Sequence, residues 1–323
     1  MGSPAGAGAG GGTRPTATII VPTYRRPEGL SRALGALARL ESAGVSWDVV
    51  VIDNDAAPGA EEAFRDGAGR LDVPARYVRE PSLGAAHARN RGIAEASGDI
   101  TVMLDDDVSP HPGWLRALLS PIIDGRADAT GGRVELDPAV LRPRWFDERW
   151  LGPYLGSWDL GPEERPLEPE RPGEFLITSN CAFDTALLRA CGGFDPKLGP
   201  RASTPLVNDD AGLTRAFAGA GGRMRWVPGA LVTHDLPAGR VTRRYLLKRA
   251  YAQGRSDWIL DSERYGARKF GGARIALHWL GVEAGRRAKE GLGRREVLFH
   301  AGLDVVRTAG SFREAARIWR KRP

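Results

Sequence analysis

The chain has 323 residues, 42% of them hydrophobic, which suits one large or two small globular domains. No stretch approaches the roughly 18 apolar residues of a helical membrane span, which excludes one from the sequence. The formal charge of +6 is uneven: from Arg240 onward 21 Lys/Arg face 8 Asp/Glu, while the remainder carries 25 against 32.

Residues 1–14, MGSPAGAGAGGGTR, have no apolar h-region and nothing to bury, so they read as a disordered leader rather than a signal peptide. Without an export signal, Cys181 and Cys191 read as reduced thiols and the protein as cytoplasmic. Thr18-Ile19-Ile20-Val21 is a short apolar strand ended by Pro22. A helix follows from Pro27, with Leu30, Ala33, Leu34 and Leu37 at helical spacing. Val49 to Ile52 is a second β-branched run, closed by Asp53-Asn54-Asp55. Arg76-Tyr77-Val78 predicts a third strand, Ala86 to Ala96 a helix, Ile100 to Leu104 a fourth strand, and Trp114 to Leu119 another helix. Strands apolar on both faces that alternate with helices predict an α/β fold with a mostly parallel sheet flanked by helices.

Beyond this the pattern loosens. Residues 142–173 mix Trp145, Phe146, Trp150, Tyr154 and Trp158 with many Pro and Glu. The aromatic stretch 145–158 reads either as a platform on which a ligand stacks or as a lid packed against the sheet. An apolar run FLITSNCAF, a short helix from Thr185, a helix from Asp209 to Ala218, and the apolar runs Met224–Val227 and Leu231–His234 come next. From Arg240 the periodicity is helical and Arg-rich.

Ligands of parallel sheets bind beyond the carboxyl ends of the strands. Three such ends carry Pro22-Thr23-Tyr24, Asp53-Asn54-Asp55 and Asp105-Asp106-Asp107. Three adjacent carboxylates repel one another, and on a converging rim they suit a hard divalent cation, Mg²⁺ or Mn²⁺, with oxygen ligands. The plainer alternative makes Asp107 the cap of the helix before Trp114.

The strings TIIVPTYRRPEGL, VVVIDNDA, LGAAHARNRGIAEASGDITVMLDDDVSPHPGWL, TSNCAFDTALLRACGGFD, NDDAGLTRAFAGAG and VPGALVTHDLP occur in this order. Together they resemble a family 2 glycosyltransferase with the GT-A fold, an inverting enzyme that uses a nucleotide-activated sugar. The resemblance covers roughly residues 16–237. It implies a glycosyltransferase domain at 15–237 and a basic helical extension at 238–323.

The resemblance also implies roles. Pro22, Thr23 and Tyr24 match the loop that receives base and ribose. Asp53 matches an acid that accepts the imide N–H of uracil or thymine, which favours a UDP or dTDP donor; its alternative is a turn residue. Arg89 and Asn90 match a motif near the diphosphate, with a surface-helix role as the alternative for Arg89. Asp105, Asp106 and Asp107 match the DxD loop, whose outer pair, Asp107 above all, works through the metal while a neighbour touches ribose; three adjacent Asp leave the division of these roles open in the sequence. His234 matches a histidine near the metal or diphosphate, or else is structural. Asp210 aligns with the general base that deprotonates the acceptor hydroxyl, and Asp209 remains a competitor; both also suit a helix N-cap. Thr178, Ser179 and Asn180 match a segment lining the donor-sugar and acceptor region.

The implied partners are a nucleotide-sugar donor and a saccharide, lipid-linked or small-molecule acceptor. Three other readings compete. A sugar-phosphate nucleotidylyltransferase would need a Gly-rich loop after the first strand, whereas GGGTRPT precedes it. A nucleic-acid-binding protein would show a basic site and a recognition motif, neither of which appears, so no nucleic-acid partner is expected. A degenerate transferase scaffold fits poorly with an intact Asp set. The basic amphipathic tail suits either peripheral contact with an anionic inner membrane face or packing beside the acceptor site.

Overall fold

The computed structural model describes residues 15–57, 59–171, 173–201, 204–265 and 294–319. The expected leader lies outside the described residues, as does part of the basic tail. Along the chain, β1 (Thr16–Thr23), α1 (Pro27–Leu37), β2 (Ser46–Asp53), α2 (Glu61–Ala68), β3 (Ala75–Arg79), α3 (Ala85–Glu95) and β4 (Ile100–Met103) alternate. There follow β5 (Val108–Pro110), α4 (Trp114–Ile123), β6 (Ala129–Leu136), α5 (Glu148–Leu151), β7 (Arg165–Pro166), β8 (Cys181–Asp184) and α6 (Thr185–Ala190). The short pair β9 (Pro200–Arg201) and β10 (Thr204–Pro205), then α7 (Asp209–Gly219), β11 (Met224–His234), α8 (Arg243–Tyr265) and α9 (Arg294–Trp319) complete the described elements.

The main sheet runs β3-β2-β1-β4-β8-β6-β11-β5, with β7 beside β11. The first four strands are parallel, as expected, and the register sets Thr23 opposite Asp53. Beyond β4 the sheet turns mixed, because β8 enters antiparallel to both β4 and β6. Side chains alternate across the parallel half. Ile19 and Val21 pack with α1 and α4 residues on one face, while Ile20, Val50 and Ile52 pack with α3, α6 and α7 residues on the other. Two covered faces account for the unbroken apolar runs.

The very short elements α5, β7, β9 and β10 escaped the sequence pattern, and so did three that shape the main sheet and its flank. Helix α2 buries only Gly67, so it carries little apolar periodicity. Strand β6 contains Gly131-Gly132, poor strand formers; a Cβ on Gly132 would lie 2.0 Å from the Ala230 carbonyl, so close backbone approach requires glycine there. Strand β5 replaces the expected cap: α4 begins after Gly113 with no side-chain cap, and Asp107 precedes β5, so the capping reading of Asp107 is corrected. The two runs before His234 are one strand, β11, whose register shifts between Val227 and Leu231, around Pro228-Gly229. Both cysteines are free.

The aromatic segment packs rather than projecting into open space. Trp145 meets Phe299 at 5.8 Å between ring centroids, and Trp158 meets Phe175 at 4.2 Å. Trp145, Phe146, Trp150 and Tyr154, with Leu246, Ala250, Phe299 and Leu303, build a third core between the segment and helices α8 and α9, whereas Trp158 packs against the sheet. Several tail cations are spent internally: Arg255 pairs with buried Glu314 at 2.9 Å and Arg307 with Asp257 at 2.6 Å. Among the described residues no helix is long and apolar enough to cross a membrane.

Helices α8 and α9 run antiparallel and touch through glycine. A Cβ on Gly254 would sit 1.7 Å from the Arg307 carbonyl, and one on Gly310 2.2 Å from that of Tyr251. Gly302 on the same α9 meets nothing within 4 Å. We expect Gly254→Ala to destabilise by roughly 1–3 kcal/mol through overpacking. Gly302→Ala should be neutral or stabilising by up to about 1 kcal/mol through helix propensity. Urea unfolding of both variants checks this, and equal midpoints would contradict the close packing.

Candidate functional site

The carboxyl ends of β1 and β4, the start of α7, the end of β11 and the first half of α8 enclose a cleft of about 610 Å³. Of the residues singled out in the sequence, Pro22, Thr23, Tyr24, Arg89, Asp105, Asp106, Asp107, Thr178, Ser179, Asp209, Asp210 and His234 line it. Asp53, Asn90 and Asn180 do not.

Each absentee has a visible reason. Asp53 is fully buried; its Oδ1 accepts the Asp55 N–H at 3.0 Å and its Oδ2 accepts the Tyr77 hydroxyl. Burial and that bond push the Tyr77 phenol pKa up, so Tyr77 stays a donor. The Asp53 carboxylate is therefore engaged by Asp55 and Tyr77 and does not itself line the cleft. Its neighbour Asn54 lines the cleft instead and ties down residues 80–84, donating to the Glu80 and Ser82 carbonyls and accepting from Gly84 N–H at 2.8 Å. Asn90 bonds both backbone groups of Phe194, fixing the turn after α6. Asn180, wholly buried, accepts from Trp114 Nε1 at 2.7 Å and donates to the Arg133 and Ala230 carbonyls. Both asparagines hold the frame rather than facing the cleft.

The triple Asp divides its work by partner. Asp105 accepts from Arg89 Nη2 at 2.9 Å. Asp106 accepts from the Thr23 hydroxyl at 2.7 Å and from Arg26 at 3.1 Å. Burial, then the neighbouring Asp107, raise the Asp106 pKa to about 6. Asp107 pairs with Arg26 and lies 3.5 Å from His234 Nε2. Burial alone would raise the Asp107 pKa, but the His234 bond and charge, with Arg26, hold it below the usual carboxylate range. Arg26 was not singled out from the sequence; only the fold brings the start of α1 against the end of β4.

Arg89, 7% exposed, bridges two elements: Nη1 donates to Asp209 at 2.7 Å while Nη2 holds Asp105. Asp209 is thus committed to an ion pair. Asp210 is not. Its Oδ1 accepts from the Thr178 hydroxyl at 2.5 Å and more weakly from Thr178 N–H at 3.3 Å, and among the described residues no donor reaches Oδ2. Burial first, then Asp209, raise the Asp210 pKa to about 7. Neither acid caps α7. Asn208 takes that position in a left-handed conformation, φ 73°, without a side-chain cap. Gln253 and Asp257 of α8 hold the Asn208 amide at 2.6 and 2.8 Å, so α8 steers the start of α7. Among the described residues of the aromatic segment, Tyr154, Leu155 and Gly156 reach the cleft.

Among the described residues, no three His, Cys, Asp or Glu side chains gather to cage a metal. Asp107 and His234 do stand side by side on the cleft wall, and His234 Nδ1 is buried without a partner. Two protein ligands suffice where substrate phosphates complete the shell of Mg²⁺, so the donor set fits a divalent ion that arrives with a diphosphate. Arg26 now occupies the Asp107 oxygen such an ion would share.

Residues 18–191 match the family described as Glycosyl transferase family 2. The chain is 29% identical over 223 residues to the pre-mycofactocin glycosyltransferase of Mycobacterium tuberculosis, covering 68% of this chain but 42% of that protein. The chain thus spans about two fifths of the length of that relative. It is 30% identical over 250 residues to the succinoglycan biosynthesis protein ExoM of Rhizobium meliloti, covering 76% of this chain and 75% of that one. Among solved structures, the mannosyltransferase PcManGT from Pyrobaculum calidifontis, in complex with GDP-Man and Mn²⁺, superposes with a TM-score of 0.61 at 21% identity. That match covers 96% of this chain and 88% of the other. The fold is GT-A, as the resemblance implied.

Proposed function

The chain belongs to glycosyl transferase family 2, and from this membership and the cleft we propose that it transfers a sugar from a nucleoside diphosphate donor to an acceptor hydroxyl, with inversion and with Asp210 as the base. One observation carries the residue assignment. Of the two acids opening α7, Asp209 is locked to Arg89, while Asp210 faces the cleft with an unengaged oxygen and a raised pKa. An acid whose proton affinity lies near neutrality suits abstraction of a hydroxyl proton as the hydroxyl attacks the anomeric carbon.

The nucleoside would lie against Pro22, Thr23, Tyr24 and Asn54, with the diphosphate over the Asp105–Asp107 loop. Thr23 and Arg26 keep Asp106 in place, and Arg89 ties the loop to the start of α7. A divalent ion held by Asp107 and His234 would offset the charge of the departing diphosphate. Cytoplasmic location, a saccharide, lipid-linked or small-molecule acceptor, and membrane contact by the tail remain part of this reading. The nucleotidylyltransferase alternative is not favoured, since the Gly-rich stretch precedes β1 and the family match lies elsewhere.

A thermal-shift panel of UDP, dTDP and GDP, with Mn²⁺ or with chelator, tests the donor side. At one hundred times Kd a matching nucleotide should add about 2.7 kcal/mol of stability. Chelator should remove most of that gain. Absence of any nucleotide effect would refute the reading, and an undiminished effect in chelator would refute the metal.

A further inference from the structure

Four arginines line the cleft, and they fall into two pairs. Arg26 and Arg89 are matched to carboxylates. Arg240 and Arg249 line the same space, yet no side-chain hydrogen bond or ion pair joins either to a described residue. Arg249 is partly buried on α8, one turn after Tyr245, which also lines the cleft.

Burial lowers the Arg249 pKa; Tyr245, Asp209 and Asp210 oppose this from beyond ion-pair distance, and Arg240 adds a smaller repulsion. No carboxylate of a described residue therefore pairs directly with the Arg249 guanidinium. A desolvated guanidinium without a partner is costly, and an anion arriving between the two arginines relieves both the desolvation and the repulsion. Location narrows the ligand. Helix α8 grips Asn208 at the start of α7, so Arg249 stands on the Asp210 side of the cleft, where an attacking hydroxyl must approach. The Asp107–His234 wall belongs to the carboxyl end of β4 and the end of β11.

We propose that Arg249, with Arg240 and Tyr245, forms a subsite for a phosphate or carboxylate carried by the acceptor, close to the hydroxyl that Asp210 deprotonates. The proposal rests on the glycosyltransferase reading above and specifies its acceptor class as anionic. A guanidinium fork binds the planar or tetrahedral oxyanion through two parallel hydrogen bonds and so orients the neighbouring hydroxyl as well as holding it. A neutral saccharide would leave the fork unmatched.

The test uses the full chain saturated with its nucleoside diphosphate and Mn²⁺, so that the donor phosphates are already in place. Phenyl phosphate and p-nitrophenyl glucuronide serve as anionic probes, p-nitrophenyl glucoside as the neutral one, with affinities from calorimetry. The anionic probes should bind wild type about tenfold or more tightly than the glucoside, the equivalent of one charged hydrogen bond. Arg249→Gln should abolish that preference while nucleoside diphosphate affinity stays within about twofold, and Arg249→Lys should restore part of it. Arg240→Gln provides a second, independent reduction if Arg249→Gln fails to fold. Equal affinity of charged and neutral probes for wild type overturns the proposal. So does a matching loss of nucleoside diphosphate affinity in Arg249→Gln, which would assign the guanidinium to the donor. If no nucleoside diphosphate binds wild type at all, the glycosyltransferase reading itself fails and this inference with it.

Discussion

Asp210→Asn should lower kcat by about 10²–10⁴-fold while nucleoside diphosphate affinity changes little, since the amide keeps the Thr178 contact but cannot take a proton. The pH profile sharpens this result. A base works only when ionised, and the Asp210 pKa is raised to about 7, so kcat/KM should fall on the acid side of neutrality. Asp209 supplies part of that upward push, so Asp209→Asn should move the acid limb to lower pH even as it loosens the Arg89 pair. Turnover like wild type in Asp210→Asn, or an acid limb unmoved in Asp209→Asn, would remove Asp210 from the role.

Arg89→Met should be the most destabilising single change in the cleft, at roughly 3–5 kcal/mol, because it strips the counter-charge from buried Asp209 and from Asp105 together. Arg89→Lys should rescue only in part, since a single ammonium does not reproduce a fork whose two ends reach acids on different elements. Urea unfolding reads the stability, and nucleotide titration reads the second consequence: the Asp105–Asp107 loop loses its anchor and nucleotide affinity falls with it. Stability within experimental error of wild type would show that the bridge between the loop and α7 is dispensable.

Much of this fold is legible without coordinates because local rules and burial agree. The β-branched runs that became β1, β2 and β4 are covered on both faces, and α1 begins at the Pro27 its sequence announces. Helix α2, strand β5 and strand β6 were not legible. One is largely exposed, one is three residues long, and one is built around glycines that only the facing Ala230 backbone explains. Strong periodicity requires a buried stripe of ordinary side chains, and none of the three has it.

For the cleft, the sequence by itself determined that acids gather at strand ends and at the start of α7, and it named each acid that lines it among the described residues. What the tertiary structure alone decided is how they are partnered. Arg89 lies 16 residues from Asp105 and 120 from Asp209, so no local pattern could tell that one guanidinium commits Asp209 and leaves Asp210 free. The same holds for Asp53, whose acidity is plain in the sequence but whose carboxylate is taken up by Tyr77, 24 residues away on the adjacent strand. Charge and hydrogen-bonding capacity belong to the residue and are fixed by its type. Whether that capacity remains open to a substrate depends on which distant side chains the fold brings within about 3 Å, since hydrogen bonds and ion pairs are short-ranged and satisfied by the nearest partner.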